Sequence, residues 1–376
     1  MHATPAQQLS TAAADYRQGV TGGGMWLSRM AHVAIPVLVL TSISGCAADP
    51  REARRTASTA IIQEDVPEGA PGCSAAIAID GEVVWADARG LANLDDGTEF
   101  TTSTPIHIAS TGKQFTAMAV LMLAERGDLS LEESPADYLD GIPAWAQQLT
   151  LTDLLQHTSG VADVVSLNTS VFGTPPLTNT DALEFVRTSP LAQPGTPGEF
   201  EYSNTNYALL ADIVAEVTHT DFAAWMEGNV FAPLGLEARI GAALPSDPVG
   251  YEVEVTGEFT EMEPLPWVLS GAGFVTMTPS ELVRWGDQLR EPSLVSAETL
   301  ADALSSGALL DDGSRYGPGL YVFPDGGLGH PGEGAGLHTA FGVSADGHTV
   351  GAVSCNQDGI DMAGMGHDLV EVWFDE

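Results

Sequence analysis

Ser110-Thr111-Gly112-Lys113 holds the single lysine of a 376-residue chain, whose other 12 basic residues are arginines. Arginine replaces lysine wherever a fixed positive charge suffices, but a guanidinium does not give up its proton at any working pH. A lone lysine three residues after a serine therefore points to an amine that must be able to become neutral. A serine hydroxyl is a poor nucleophile until a base takes its proton. An amine one helical turn away can be that base. The neighbourhood favours it. IHIAS leads into Ser110, and KQFTAMAVLMLAERG (113–127) is apolar nearly all round, which predicts a buried helix ended by Gly127. At the start of such a helix, burial and the positive end of the dipole both disfavour the ammonium form of Lys113. The backbone N–H of Ser110 is also placed to hold an oxyanion.

The elements that must position this pair are legible in outline. CSAAIAIDGEVVWADARG (73–90) reads as a strand hairpin turning at Asp80-Gly81, and TAFGVSADGHTVGAVSCN (339–356) as another turning at Asp346-Gly347. A helix-like tail, GMGHDLVEVWF (364–374), follows the second hairpin. Between them the periodicity is mostly helical: LTDLLQHTSG (151–160) with Thr152 as a cap, NYALLADIVAEVTH (206–219), and TPSELVRWGDQLR (278–290) with a Thr-Pro-Ser-Glu start. Strands at both ends with helices between them predict an α/β plus α protein. Its antiparallel sheet, flanked by helices, is built from both ends of the chain, with a mainly helical domain inserted. The expected lobes are 63–148 with 267–376 for the sheet and 149–266 for the helices, with a cleft between them.

Composition removes other classes. With 51 acidic residues against 13 basic ones the net charge is −38, which excludes a nucleic-acid surface and docking on anionic lipid by charge. Nine histidines carry no His-Glu-x-x-His and no tight His/Cys cluster, so no metal is expected. Gly-x-Ser-x-Gly and glycine-rich phosphate loops are absent, so neither an α/β-hydrolase elbow nor a nucleotide or other cofactor is implied. From Met25, one arginine (Arg29) precedes an apolar stretch from Ala31 to about Ser44 that is too short to span a membrane. It ends in Ile43-Ser44-Gly45-Cys46, similar to a bacterial lipobox. Residues 1–46 are therefore expected to be a lipoprotein-type signal segment with Cys46 as the lipidated residue, and 47–62 a tether. The product is expected to be an exported cell-surface protein, held to the membrane only through its lipid, or else secreted. Export would make a Cys73–Cys355 disulfide plausible if their strands pair.

Downstream of Ser110 come Tyr202-Ser203-Asn204, in PGEFEYSNTNYALL, and His330-Pro331-Gly332, in GLGHPGEGAG. Together with Ser-x-x-Lys these motifs resemble the serine β-lactamase and penicillin-binding-protein superfamily. The resemblance is to the branch of class C β-lactamases, D-alanyl-D-alanine carboxypeptidases and related esterases. It runs from about residue 65 to the end and takes in LLQHTSG (154–160) and SGAGFVTMTPSELVRW (270–285). It implies Ser110 as acylated nucleophile, Lys113 as its base, and Tyr202 as a second proton shuttle. It also implies that Asn204 hydrogen-bonds the substrate, that His330 to Gly332 line the cleft, and that the Glu333 N–H is the second oxyanion donor. His157 is expected to be structural. One departure bears on substrate. The third motif of penicillin-recognising members has Lys or His, then Thr or Ser, then Gly, whereas Pro331 offers no hydroxyl. The expected activity is thus hydrolysis of an ester or amide in a small molecule or peptide. D-alanyl-D-alanine carboxypeptidase or β-lactamase activity is one alternative, and a non-catalytic surface sensor of the same fold is another.

Overall fold

The computed structural model describes residues 49–171, 177–192, 196–265 and 267–374. The signal segment and Cys46 lie outside the described residues. The central sheet has eight strands, and both ends of the described chain build it. From the first come β1 (Cys73–Ile79) and β2 (Glu82–Arg89). From the second come β3 (Ala308–Leu309), β4 (Arg315–Tyr316), β5 (Tyr321–Val322), β6 (Leu328–Gly334), β7 (Leu337–Val343) and β8 (Thr349–Cys355). The order is β3-β4-β5-β6-β7-β8-β1-β2, and every pairing is antiparallel. β1 and β8 are buried along their whole length, so both faces of the sheet centre are covered. Alternate β1 residues serve two cores: Ala76 and Ala78 join the large one, and Cys73, Ala75, Ile77 and Ile79 the smaller. Cys73 lies directly opposite Cys355 in the β1–β8 register, and a disulfide joins them across 282 residues of sequence.

Helix α1 (Pro50–Asp65) corrects the expected tether. Ser58, Ile62 and Val66, spaced i, i+4, i+8, are buried against the second core. Trp373 Nε1 donates to Ser58 Oγ at 2.9 Å. Arg54 and Arg55 reach the carbonyls of Val372 and Val84 at 3.0 and 3.1 Å. The stripe is one residue wide, and arginines that look solvated in sequence serve as donors to backbone oxygens.

Helix α2 (Lys113–Arg126) is the buried helix expected after Ser110. Every residue from Lys113 to Leu123 is buried, and Gly127 ends it at φ 77°. Helix α3 spans only Leu151–Leu155, shorter than expected, and its cap is Thr150 rather than Thr152. Thr150 Oγ1 accepts from the Asp153 N–H at 3.1 Å while an Asp153 oxygen accepts from the Thr150 N–H at 2.9 Å. His157 turns out of this helix at φ 56°. Helices α4 (Asn204–Thr218) and α5 (Pro279–Arg290, capped by Thr278) form on the expected segments, and α6 (Met362–Glu371) closes the chain. α4 packs on α2, and α5 covers one face of β1 and β8.

Candidate active site

Ser110 sits in a single 3-10 turn, Ala109–Gly112, that runs directly into α2 at Lys113. Ala109 is held at φ 47°, a conformation that costs a residue with a Cβ about 1 kcal/mol. The surroundings hold the turn in place. Gln114 Nε2 donates to the Thr111 carbonyl at 2.9 Å, and Trp285 Nε1 of α5 fixes Gln114 Oε1 at 2.7 Å. Thr111 Oγ1 donates to the His330 carbonyl at 3.2 Å, clamping β6 onto the turn. A Cβ on Gly332 would stand 2.1 Å from the Ile108 carbonyl oxygen, so only glycine lets the strand approach so closely. This contact brings the first and third sequence motifs together, with β6 packed against the Ser110 turn.

Lys113 is wholly buried. Its Nζ reaches three acceptors: Ser110 Oγ at 3.1 Å, Asn204 Oδ1 at 2.8 Å, and the Ala272 carbonyl. Three acceptors match the three donors of an ammonium, but burial favours the neutral amine. Burial lowers its pKa to about 7, with Asp163 opposing the shift. Near pH 7 both forms are present. The charged form donates to Ser110 Oγ, and the neutral form can accept the Ser110 proton.

Tyr202 lies over this amine, with Nζ 4.8 Å from its ring centroid. His157 backs the phenol at 4.3 Å between ring centroids. Its Nδ1 accepts from the Ser203 N–H at 3.2 Å, and burial holds it far below its ordinary pKa, with Lys113 and His330 adding to the shift. His157 is thus an uncharged prop behind Tyr202. Asn204 opens α4 and is engaged by protein at both ends. Its Oδ1 faces Lys113, and its Nδ2 donates to Asp163 Oδ2 at 3.4 Å.

His330 is also buried, and its charge is suppressed. Burial lowers its pKa to about 3, helped by Lys113 and opposed by the bond to Pro331. Its Nδ1 lies 2.5 Å from the Pro331 carbonyl, which can only accept, so Nδ1 carries the proton. Nε2 then accepts from Tyr316 Oη at 3.1 Å. Pro331 and Glu333 are exposed on β6. The third motif therefore offers a neutral imidazole, a proline ring and a carboxylate. Three participants were not picked out from the sequence: Asp163, Tyr316 and the Ala272 carbonyl. Asp163 begins an Asp-x-x-Ser cap, a signal that marks a helix start rather than a site. A backbone oxygen leaves no signal in side-chain identity. Among the described residues no cluster of His, Cys, Asp and Glu could hold a metal ion.

Residues 59–370 match the β-lactamase family model, and the chain belongs to that family. It is 28% identical over 255 residues to the penicillin-binding protein PbpX of Bacillus subtilis, covering 67% of this chain and 62% of that one. The match therefore spans under two thirds of the Bacillus protein. Among solved structures, a penicillin-binding protein homologue from Pyrococcus abyssi superposes with TM-score 0.72 at 23% identity, over 87% of this chain and 77% of that one. A D-amino acid amidase from Ochrobactrum anthropi superposes with TM-score 0.72 at 22% identity, over 85% and 98%. At these identities the superpositions establish the fold: an antiparallel sheet with helices, of the β-lactamase and transpeptidase kind. Family model, relatives and fold together set the chain among the β-lactamase-like and penicillin-binding-protein-like proteins.

Proposed function

We propose that this hydrolase cleaves an ester or amide through an acyl-Ser110 intermediate. The observation that carries the reading is a wholly buried amine, Lys113 Nζ, 3.1 Å from Ser110 Oγ, with a pKa of about 7. As Ser110 Oγ bonds to the substrate carbonyl carbon, neutral Lys113 takes its proton. The N–H groups of Ser110 and Glu333 hold the resulting oxyanion. Collapse breaks the bond to the leaving oxygen or nitrogen, which receives a proton through Tyr202. Water then attacks the acyl carbon, and Ser110 leaves with its proton restored.

The third motif supports a substrate without a carboxylate beside the scissile bond. His330 is uncharged, Pro331 has no hydroxyl, and Glu333 repels anions. The superposition on a D-amino acid amidase fits an amide of this kind. Kinship to penicillin-binding proteins favours a second reading, acylation by peptidoglycan-like peptides and by penicillin. The Cys73–Cys355 disulfide supports export, which we propose together with anchoring through Cys46. The test is the intact mass of the purified protein after a neutral serine-directed phosphonate and, separately, after a penicillin. A phosphonate adduct on Ser110 without a penicilloyl adduct is expected. A stable penicilloyl adduct overturns the substrate argument in favour of the second reading, and no phosphonate adduct overturns the hydrolase reading.

A further inference from the structure

Asp163 stands one residue deeper in the site than the motifs reach. It is partly buried in the loop between α3 and the helix Val164–Val171. Four donors converge on its carboxylate, two on each oxygen. Oδ1 accepts from the N–H groups of Val165 at 3.2 Å and Asn204 at 3.1 Å. Oδ2 accepts from Ser166 Oγ at 2.9 Å and Asn204 Nδ2 at 3.4 Å. On the far side of the same amide, Asn204 Oδ1 accepts from Lys113 Nζ at 2.8 Å. A continuous chain thus runs Asp163–Asn204–Lys113–Ser110. A carboxylate can only accept and an ammonium can only donate, so together they permit one orientation of the Asn204 amide.

We propose that Asp163 is a positioning residue for the Ser110–Lys113 pair, acting through the Asn204 amide and through its own negative charge. The inference rests on the serine-hydrolase reading above. It explains why a wholly buried lysine keeps a useful basicity. Burial alone drives the amine toward neutrality, and an amine that sheds its proton too readily is too weak a base for a serine hydroxyl. A carboxylate one amide away opposes that drift. Burial pushes the Asp163 carboxyl itself upward, while the bonds from Ser166 and from the Val165 and Asn204 N–H groups, with the Lys113 charge, favour the anion. Among the described residues, the other titratable groups placed around Lys113 are the Tyr202 and Tyr207 rings at 4.8 and 5.7 Å and the buried imidazoles of His157 and His330. The two imidazoles are held neutral and burial pushes the Tyr207 phenol up, and Asp163 is the anion that acts on the amine.

The single lysine makes the test direct. Protein grown on lysine labelled with carbon-13 at Cε gives one lysine resonance, that of Lys113, and its shift against pH reports protonation without any substrate. In Asp163→Asn the carboxylate charge is gone. The new amide NH2 faces Asn204 Nδ2, which forces the Asn204 amide to turn its own NH2 toward Lys113. The Lys113 midpoint should fall by about one pH unit or more. An unchanged midpoint in the folded variant overturns the proposal. If D163N does not fold, the unmodified protein decides: the Lys113 resonance should show a second, smaller inflection at lower pH as Asp163 takes a proton, and its absence overturns the proposal. Because the readout is protonation rather than turnover, the relay can fail while Ser110 still acylates, so the two readings fail separately.

Discussion

Lys113 and His330 are two basic side chains in one buried site, and the same force has made them opposites. Burial pushes both toward neutrality, to about 7 for the lysine and about 3 for the histidine. The lysine starts high, so desolvation brings it into the range where a base works. The histidine starts near neutral pH and is taken out of play as a charge. Neighbouring charges widen the gap, since Asp163 holds the lysine up and Lys113 pushes the histidine further down, with the Pro331 carbonyl opposing. Lys113 faces three acceptors with Asp163 behind one of them, whereas His330 faces a phenol and a carbonyl. Burial does not make a site reactive by itself. It selects the group whose ordinary pKa stands far enough above the working pH.

The largest expected effect removes the proposed nucleophile. Ser110→Ala should abolish covalent labelling and lower kcat/KM by about 10^3-fold or more, and residual labelling measured by mass would place the nucleophile elsewhere. Next, Lys113→Arg replaces a titratable amine with a cation that keeps its charge. It should lower kcat/KM by roughly 10^2- to 10^4-fold in whatever fraction folds. A third outcome follows from the sign of the lysine shift. The folded-state pKa is depressed, so between about 7 and the unfolded value of 10.5 the unfolded chain binds more protons than the folded one. The lysine contribution to stability therefore rises with pH across that window. Urea midpoints of wild type should gain on those of Lys113→Met between pH 7 and 9, and parallel curves would mean that the buried amine stays charged.

Smaller changes sharpen the histidine side of the comparison. His330→Asn removes the bond from Tyr316, which is worth about 1 kcal/mol. It should leave any inflection of the pH–rate profile near 7 in place, because His330 is neutral throughout that range. Movement of the inflection would transfer the titration from the lysine to the histidine. Pro331→Thr, which restores a hydroxyl on the exposed face of β6, should raise penicillin acylation by less than about tenfold, since one neutral hydrogen bond is gained and no charge.

The sequence made the ends of the chain readable because turn chemistry is local: Asp80-Gly81 and Asp346-Gly347 mark both hairpins, and the strands they join pair in the sheet. Thr278 and Gly127 likewise mark helix ends through backbone hydrogen bonds that need no tertiary context. Helix α1 is not legible in sequence because its burial depends on a surface formed by α6 and β2, which nothing within residues 50–65 reveals. At the site, Ser110, Lys113, Tyr202, Asn204 and His330 stood out by type and order. What type and order do not carry is state. The same letters permit a charged or a neutral His330, and an Asn204 that faces solvent or one locked between a lysine and an aspartate. Those outcomes are set by desolvation and by a second ring of residues, Asp163 and Tyr316 among them, whose local sequences read as a helix cap and a strand tyrosine.

The central claim is that neutral Lys113 activates Ser110. The rate of Ser110 modification by a neutral phosphonate, followed by intact mass from pH 5 to 9, tests it most directly. The account predicts a rate that rises with pH through a midpoint near 7, the pKa to which burial brings the amine, and that plateaus above it. A rate independent of pH, or one still climbing at pH 9, would contradict it.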